Sequence, residues 1–172
     1  ELSAWGVTAK PHAWVPGCLE LTGVGDLTTL EPFREGKLLV QDPAARLVSL
    51  IAGVQPGQRV LDVCAAPGGK SFSAAFAMGD KGRIISCDVH GSKLKRIEEG
   101  AARLGLTSIE TAASDGRVFR PEWADAYDTV LVDAPCSGLG IIRKKPDVRY
   151  KRADDLFTLP VVQTALLDNA AR

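Results

Sequence analysis

The sequence predicts an α/β fold built on a mostly parallel, doubly wound sheet. Three observations carry this. From residue 59 onward, short apolar runs alternate with helix-length segments: "RVLDV" (59–63), "RIISCDV" (83–89), "SIETAA" (108–113) and "YDTVLVDA" (127–134). Strands separated by helices need crossover connections, which lay helices on both faces of a parallel sheet. A Gly68-Gly69 turn follows the first run and opens a helix, the layout of a ligand-binding strand–loop–helix unit.

The elements follow in order. Residues 1–37 are rich in Gly and Pro and weakly periodic; "GCLELTG" (17–23) reads as a short strand within loop and turn. They form a flanking segment, and 38–172 a single, partial catalytic domain. In "QDPAARLVSLIAG" (41–53), Asp42 is placed to cap a helix, Pro43 to open it and Gly53 to end it. Small residues from Gly69 to Met78 make a second helix. "SKLKRIEEGAARLG" (92–105) makes a third, with Leu94, Ile97, Ala101 and Leu104 inward. The run 127–134 is apolar enough for a central strand. The last helix is expected from Thr158, its cap, with Pro160 in the first turn and Val162, Leu166 and Ala170 in line. No strand follows. The expected sheet is therefore incomplete at the C-terminus, and the chain reads as a fragment of something longer.

A hydrophobic content of 45% and a charged content of 24% are those of a folded globular chain. Twenty-one basic residues balance 21 acidic ones, so any nucleic-acid contact must rest on local clustering. Cys18, Cys64, Cys87 and Cys136 form no CxxC pair, and with two histidines a metal site is not expected. Neither a membrane span nor a signal-peptide layout is present in the sequence, and a reduced, cytoplasmic setting is expected.

"DVCAAPGGKS" (62–71) ends like a phosphate loop, yet Cys64 stands where the first glycine of that motif belongs. The dinucleotide pattern is absent as well. What remains is Asp62 at a strand end and a tight turn that lets a ligand approach bare backbone. Asp88 closes the second strand, where a carboxylate clasps ribose hydroxyls in doubly wound folds. Asp115 in "SDGR" and Asp133 in "DAPC" follow the third and fourth strands. Four acids at one rim repel a triphosphate and suit a cationic, ribose-bearing ligand with an amino-acid end, such as S-adenosylmethionine.

"DAPCSG" sets the thiol of Cys136 beside Asp133. A thiol suits a carbon target, because cytosine C5 becomes nucleophilic once a thiolate has added to C6. A Cys136 that merely packs is the plainer alternative.

"VLDVCAAPGGKS", "CDVH", "SDGR", "VDAPCSGLGIIRKKPDVRY" and "FREGKLLVQDPAAR" resemble the RNA cytosine-C5 methyltransferases of the Sun/Fmu type, and among them the bacterial enzymes acting on small-subunit ribosomal RNA. The resemblance runs from about Phe33 to Leu167. It implies a Rossmann-like class I methyltransferase fold dependent on S-adenosylmethionine. It also implies that Cys64, Ala65, Ala66, Pro67, Gly68, Gly69 and Lys70 line the methionine part of the cofactor. Asp88 would hold the ribose, Asp115 the adenine side, and Asp133 would lie between the cofactor amino group and the cytosine. The family's attacking thiol belongs to a Thr-Cys motif after a fifth strand, which residues 1–172 do not contain. Cys136 resembles the second cysteine, which assists breakdown of the covalent adduct, so the chain is expected to be inactive alone.

Directly after this loop, "RKKPDVRYKR" (143–152) carries Arg143, Lys144, Lys145, Arg149, Lys151 and Arg152 against Asp147. Phosphate binding is expected here, with Tyr150 free to stack on a base. Two other functions fit the same residues: a non-catalytic RNA-binding or ribosome-assembly module that keeps the fold, and a DNA cytosine methyltransferase in which Cys136 itself attacks.

Overall fold

The computed structural model describes residues 2–150 and 153–172, the side chains of 153–155 excepted. An antiparallel hairpin of β1 (Thr8–Pro11) and β2 (Leu19–Thr22) comes first, in the register Thr8↔Thr22. β1 had no sequence signal: its four residues are all exposed, so no alternation marks it. After a single turn, α1 (Glu31–Arg34), α2 spans Pro43–Ala52. The Asp42 side chain accepts from the Ala44 amide at 3.0 Å, and Gly53 closes α2 in the left-handed conformation at φ 61°, as the sequence predicts.

The remaining elements are β3 (Arg59–Asp62), α3 (Gly69–Ala77), β4 (Arg83–Asp88), α4 (Gly91–Leu104), β5 (Ile109–Ala113), β6 (Thr129–Leu131) and α5 (Ala153–Ala170). The sheet order is β5-β4-β3-β6, and every pairing is parallel. All four strands therefore deliver their C-terminal ends to one edge.

Strand pleat divides the core in two. Val60 and Ile84, both fully buried, face α3 and α4, where Phe72, Met78, Leu94, Ile97 and Ala101 fill the layer. Each fully buried Ile or Val contributes about 1.5–3 kcal/mol relative to exposure. Leu61, Val63, Ile85 and Cys87 form the opposite face, covered by Leu166 and Val162 of α5 and by Trp123 and Tyr127.

β6 lies at the edge of the four-stranded sheet among the described residues, the exposed edge expected of an incomplete sheet, and its Val130 and Val132 pack in the α5 layer. One expectation is corrected. The last helix begins at Ala153, so Pro160 lies inside it rather than in its first turn. Proline removes one helical hydrogen bond there, and the packing of Val162, Leu166 and Ala170 against the sheet carries the helix across.

Candidate functional site

The parallel register brings the four sequence-predicted acids to the same rim. The charges of all four bear on one thiol, that of Cys64. Burial first, then the charges of Asp62, Asp88, Asp133 and Asp115, push this thiol up to about 11, which makes it a poor nucleophile.

Each acid is held differently. Asp62 is fully buried on the α3 side of β3. Its Oδ2 accepts from Ser71 Oγ at 2.7 Å, and Ser86 Oγ donates to Ser71 at 2.8 Å. Its Oδ1 is buried without a hydrogen-bond partner among the described residues. Burial pushes the Asp62 carboxyl up to about 6, against the opposing hydrogen bond from Ser71. Asp88 Oδ1 accepts from the His90 amide at 2.9 Å, with Lys93 Nζ at 3.6 Å. Asp115 grips Arg117, whose Nη2 lies 2.6 Å from Oδ2, and this hydrogen bond draws its carboxyl down to about 2. Asp133 is exposed and receives Lys70 Nζ at 2.6 Å.

The loop between β3 and α3 is fixed by its backbone. The Ala65 amide donates to Cys87 O and the Gly68 amide to Ala65 O, both at 2.7 Å. The Ala65 side chain turns into the core, Ala66–Pro67 is a cis peptide, and Pro67 is exposed. Gly68 sits at φ 107°, and a Cβ there would lie 2.4 Å from the Phe72 ring, so only glycine fits. Gly69 and Lys70 then start α3, whose free amides favour a carboxylate.

A groove runs between these loops, walled by Val63, Cys64, Asp88, Asp115, Pro135 and Leu166. It offers the carboxylates of Asp88 and Asp115 for ribose hydroxyls and an ammonium group, between apolar walls. This donor set fits S-adenosylmethionine. Among the described residues no group of His, Cys, Asp and Glu is arranged to hold a metal, and no helix is long and apolar enough to cross a membrane.

Of the four cysteines Cys136 is the exposed one. Cys87 is buried in β4, and burial pushes its thiol up to about 12; Cys18 belongs to the N-terminal hairpin. The Cys136 loop is tied to α5 by Gln163 Nε2, which donates to Pro135 O at 2.8 Å. Sequence reasoning missed this residue, since nothing local marks it.

Beyond that loop, residues 139–141 and 146–150 form 3₁₀ turns. Arg143 and Lys145 are exposed, whereas Lys144 pairs with Asp42 at the start of α2. Arg149 donates to Pro146 O at 3.1 Å and lies over the Tyr150 ring at 5.7 Å. Lys151 and Arg152 lie outside the described residues.

A parallel sheet of this order, with carboxylates at its strand ends around a Gly-Gly turn, defines a Rossmann-like methyltransferase of class I. More narrowly, the chain belongs to the 16S rRNA methyltransferase RsmB/F family, whose model matches residues 49–172. It is 43% identical to the probable ribosomal RNA small subunit methyltransferase B of Bacillus subtilis over 81% of this chain and 32% of that protein. With the Synechocystis protein of the same description it shares 39% identity, over 97% of this chain and 38% of the relative. The chain thus spans about a third of the length of these relatives.

Solved structures agree. PH0851 superposes with a TM-score of 0.92 at 35% identity, over 99% of this chain and 39% of that one. NSun6 from Pyrococcus horikoshii, solved with the S-adenosylmethionine analogue SFG, gives 0.74 at 26% identity, over 89% and 40%. The cofactor of the family is S-adenosylmethionine.

Proposed function

We propose that residues 38–172 form the cofactor-binding part of an enzyme that methylates C5 of a cytosine in RNA, with 16S ribosomal RNA as the substrate and the cytoplasm as its setting. The observation that carries this reading is the exposed thiol of Cys136 in the loop of Asp133, across Lys70 from the Gly-Gly turn. A thiol has no use in transfer to an amino nitrogen. It does in transfer to a carbon that must first be activated by addition to the ring.

When bound, S-adenosylmethionine supplies an electrophilic methyl group. On this reading Asp88 holds the ribose hydroxyls, Asp115 the adenine side, and Cys64 to Lys70 the methionine end. Lys70 orients Asp133, ready to accept from the amino groups of cofactor and cytosine. Cys136 serves the second half of the reaction, in which the proton on C5 leaves and the covalent bond to C6 breaks. Arg143, Lys145 and Arg149 hold RNA phosphates at the groove mouth, Lys144 doing so once released from Asp42. Residues 1–172 contain no Thr-Cys pair, so this chain alone binds cofactor without transferring a methyl group.

The test is to supply the full-length gene product with S-adenosylmethionine and unmodified 16S RNA and to digest the RNA for mass spectrometry. A 5-methylcytidine peak is expected. Methylation on another atom overturns the carbon-target reading, and no methylation favours an RNA-binding module. Turnover by the 172-residue chain alone would mean that Cys136 attacks.

A further inference from the structure

The first turn of α3 carries the Gly69–Lys70 end of the cofactor loop, and it is braced from outside the β3–α3 unit. Gln41, just before α2, uses both ends of its amide. Its Nε2 donates to Gly69 O at 2.9 Å, and its Oε1 accepts from Ser73 Oγ at 2.6 Å. Two further contacts come from α2: Arg46 Nη1 donates to Ser73 O at 3.2 Å, and Ser49 Oγ to Lys70 O at 3.5 Å. Ser49 and Ser73 are both buried. Gln41 also meets the loop closely, since a Cβ on Gly69 would stand 3.5 Å from its Nε2.

These contacts converge on residues 69, 70 and 73. From this turn Lys70 reaches Asp133. We propose that Gln41 is a positioning residue for the S-adenosylmethionine site: its amide fixes the pose of the Gly69–Lys70 turn and so aims Lys70 at Asp133. The proposal rests on the assignment of Cys64–Lys70 to the cofactor. The chemistry asks for glutamine in particular. A carboxylate would keep the acceptor for Ser73 and lose the donor to Gly69 O, setting negative charge against a carbonyl. An alanine would lose both.

Calorimetric titration with S-adenosylmethionine tests this, using the 172-residue chain, Gln41→Ala, Gln41→Glu, Lys70→Ala and the double variant Gln41→Ala/Lys70→Ala. Loss of two hydrogen bonds that orient the turn raises Kd about tenfold in Gln41→Ala. Gln41→Glu also weakens binding, although it is nearly the same size. In the Lys70→Ala background, Gln41→Ala costs little more, because the group it aims is gone.

Thermal melts and circular dichroism establish that each variant is folded at the titration temperature. A folded Gln41→Ala with unchanged Kd overturns the proposal, as does full additivity of Gln41→Ala with Lys70→Ala. If Gln41→Ala does not fold, Gln41→Glu alone decides, and an unchanged Kd in it is equally fatal. Failure of the parent chain to bind at all counts against the cofactor assignment instead.

Discussion

Lys70 Nζ lies 2.6 Å from Asp133 Oδ2, joining the first turn of α3 to the loop after β6 across 63 positions of sequence. The lysine is mostly buried and the aspartate exposed, so the ion pair ties the β3–α3 loop to the loop that carries Cys136. In Lys70→Met the apolar stem remains and the charge goes. We expect S-adenosylmethionine to bind about tenfold more weakly, the loss of one charge-assisted hydrogen bond. Calorimetry checks this, and an unchanged Kd would separate Lys70 from the cofactor.

Asp62 links stability to pH. Its folded pKa, about 6, lies above the ordinary 3.8, and burial is the cause. Its contribution to stability is therefore full below about pH 3.8 and is lost as pH rises through about 6. The whole span is worth about 3 kcal/mol. Urea unfolding of the parent chain and of Asp62→Asn, at pH values from 4 to 8, isolates this group. The stability difference should move in favour of the variant as pH rises, and a parallel pair of curves would show that Asp62 titrates normally.

The convergence of Asp62, Asp88, Asp115 and Asp133 was legible in the sequence for a simple reason. Parallel strands put every C-terminal end at one edge, so a residue closing each apolar run lies at the same rim. What stayed hidden depends on contacts distant in sequence. Nothing local shows that Arg117 grips Asp115, that Gln163 ties down the Cys136 loop, or that Gln41 reaches Gly69. "QDP" looked like a helix cap and is one, yet the residue beside the cap does the bracing. β1 was illegible because all its side chains are exposed.

Gly116 stands between Asp115 and Arg117, and its role is steric. A Cβ there would lie 2.2 Å from Val63 Cγ1 and 2.8 Å from Leu166 Cδ2, in the packed layer under α5. Gly116→Ala should destabilise the chain by about 1–3 kcal/mol through overpacking. Trimming the obstacle with Val63→Ala should recover part of the loss, a non-additive pair. Chemical denaturation of the two single variants and the double measures it; additive losses would place the cost elsewhere.

The basic loop makes a different kind of prediction. Replacing Arg143, Lys144 and Lys145 together by alanine in the full-length gene product should weaken RNA binding and flatten its salt dependence. With Lys144 released from Asp42 on binding, three phosphate contacts are at stake. The slope of log K against log salt should then fall by about 2 for single-stranded RNA. S-adenosylmethionine affinity should stay where it was. Filter binding over a salt series reads the slope, and an unaltered slope makes the loop an ordinary solvated surface.

The exposed thiol of Cys136 offers a test of the proposed chemistry. If another cysteine of the full-length gene product adds to C6, methylation leaves a saturated base bound through that sulfur, with one proton still on C5. Loss of the proton restores the C5–C6 double bond and expels the thiolate, which frees the RNA. This step needs a nearby base or a group that assists one, and Cys136 shares its loop with Asp133. Cys136→Ala should therefore still form the adduct but release it slowly, leaving a protein–RNA band on a denaturing gel when S-adenosylmethionine is present. Were Cys136 the attacking thiol, the same variant would trap nothing and its first turnover would vanish. A Cys136 that only packs would leave turnover near normal and lower the melting temperature, which its exposure already argues against. The band, and its dependence on cofactor, is thus the outcome on which the assignment of Cys136 to adduct breakdown stands or falls.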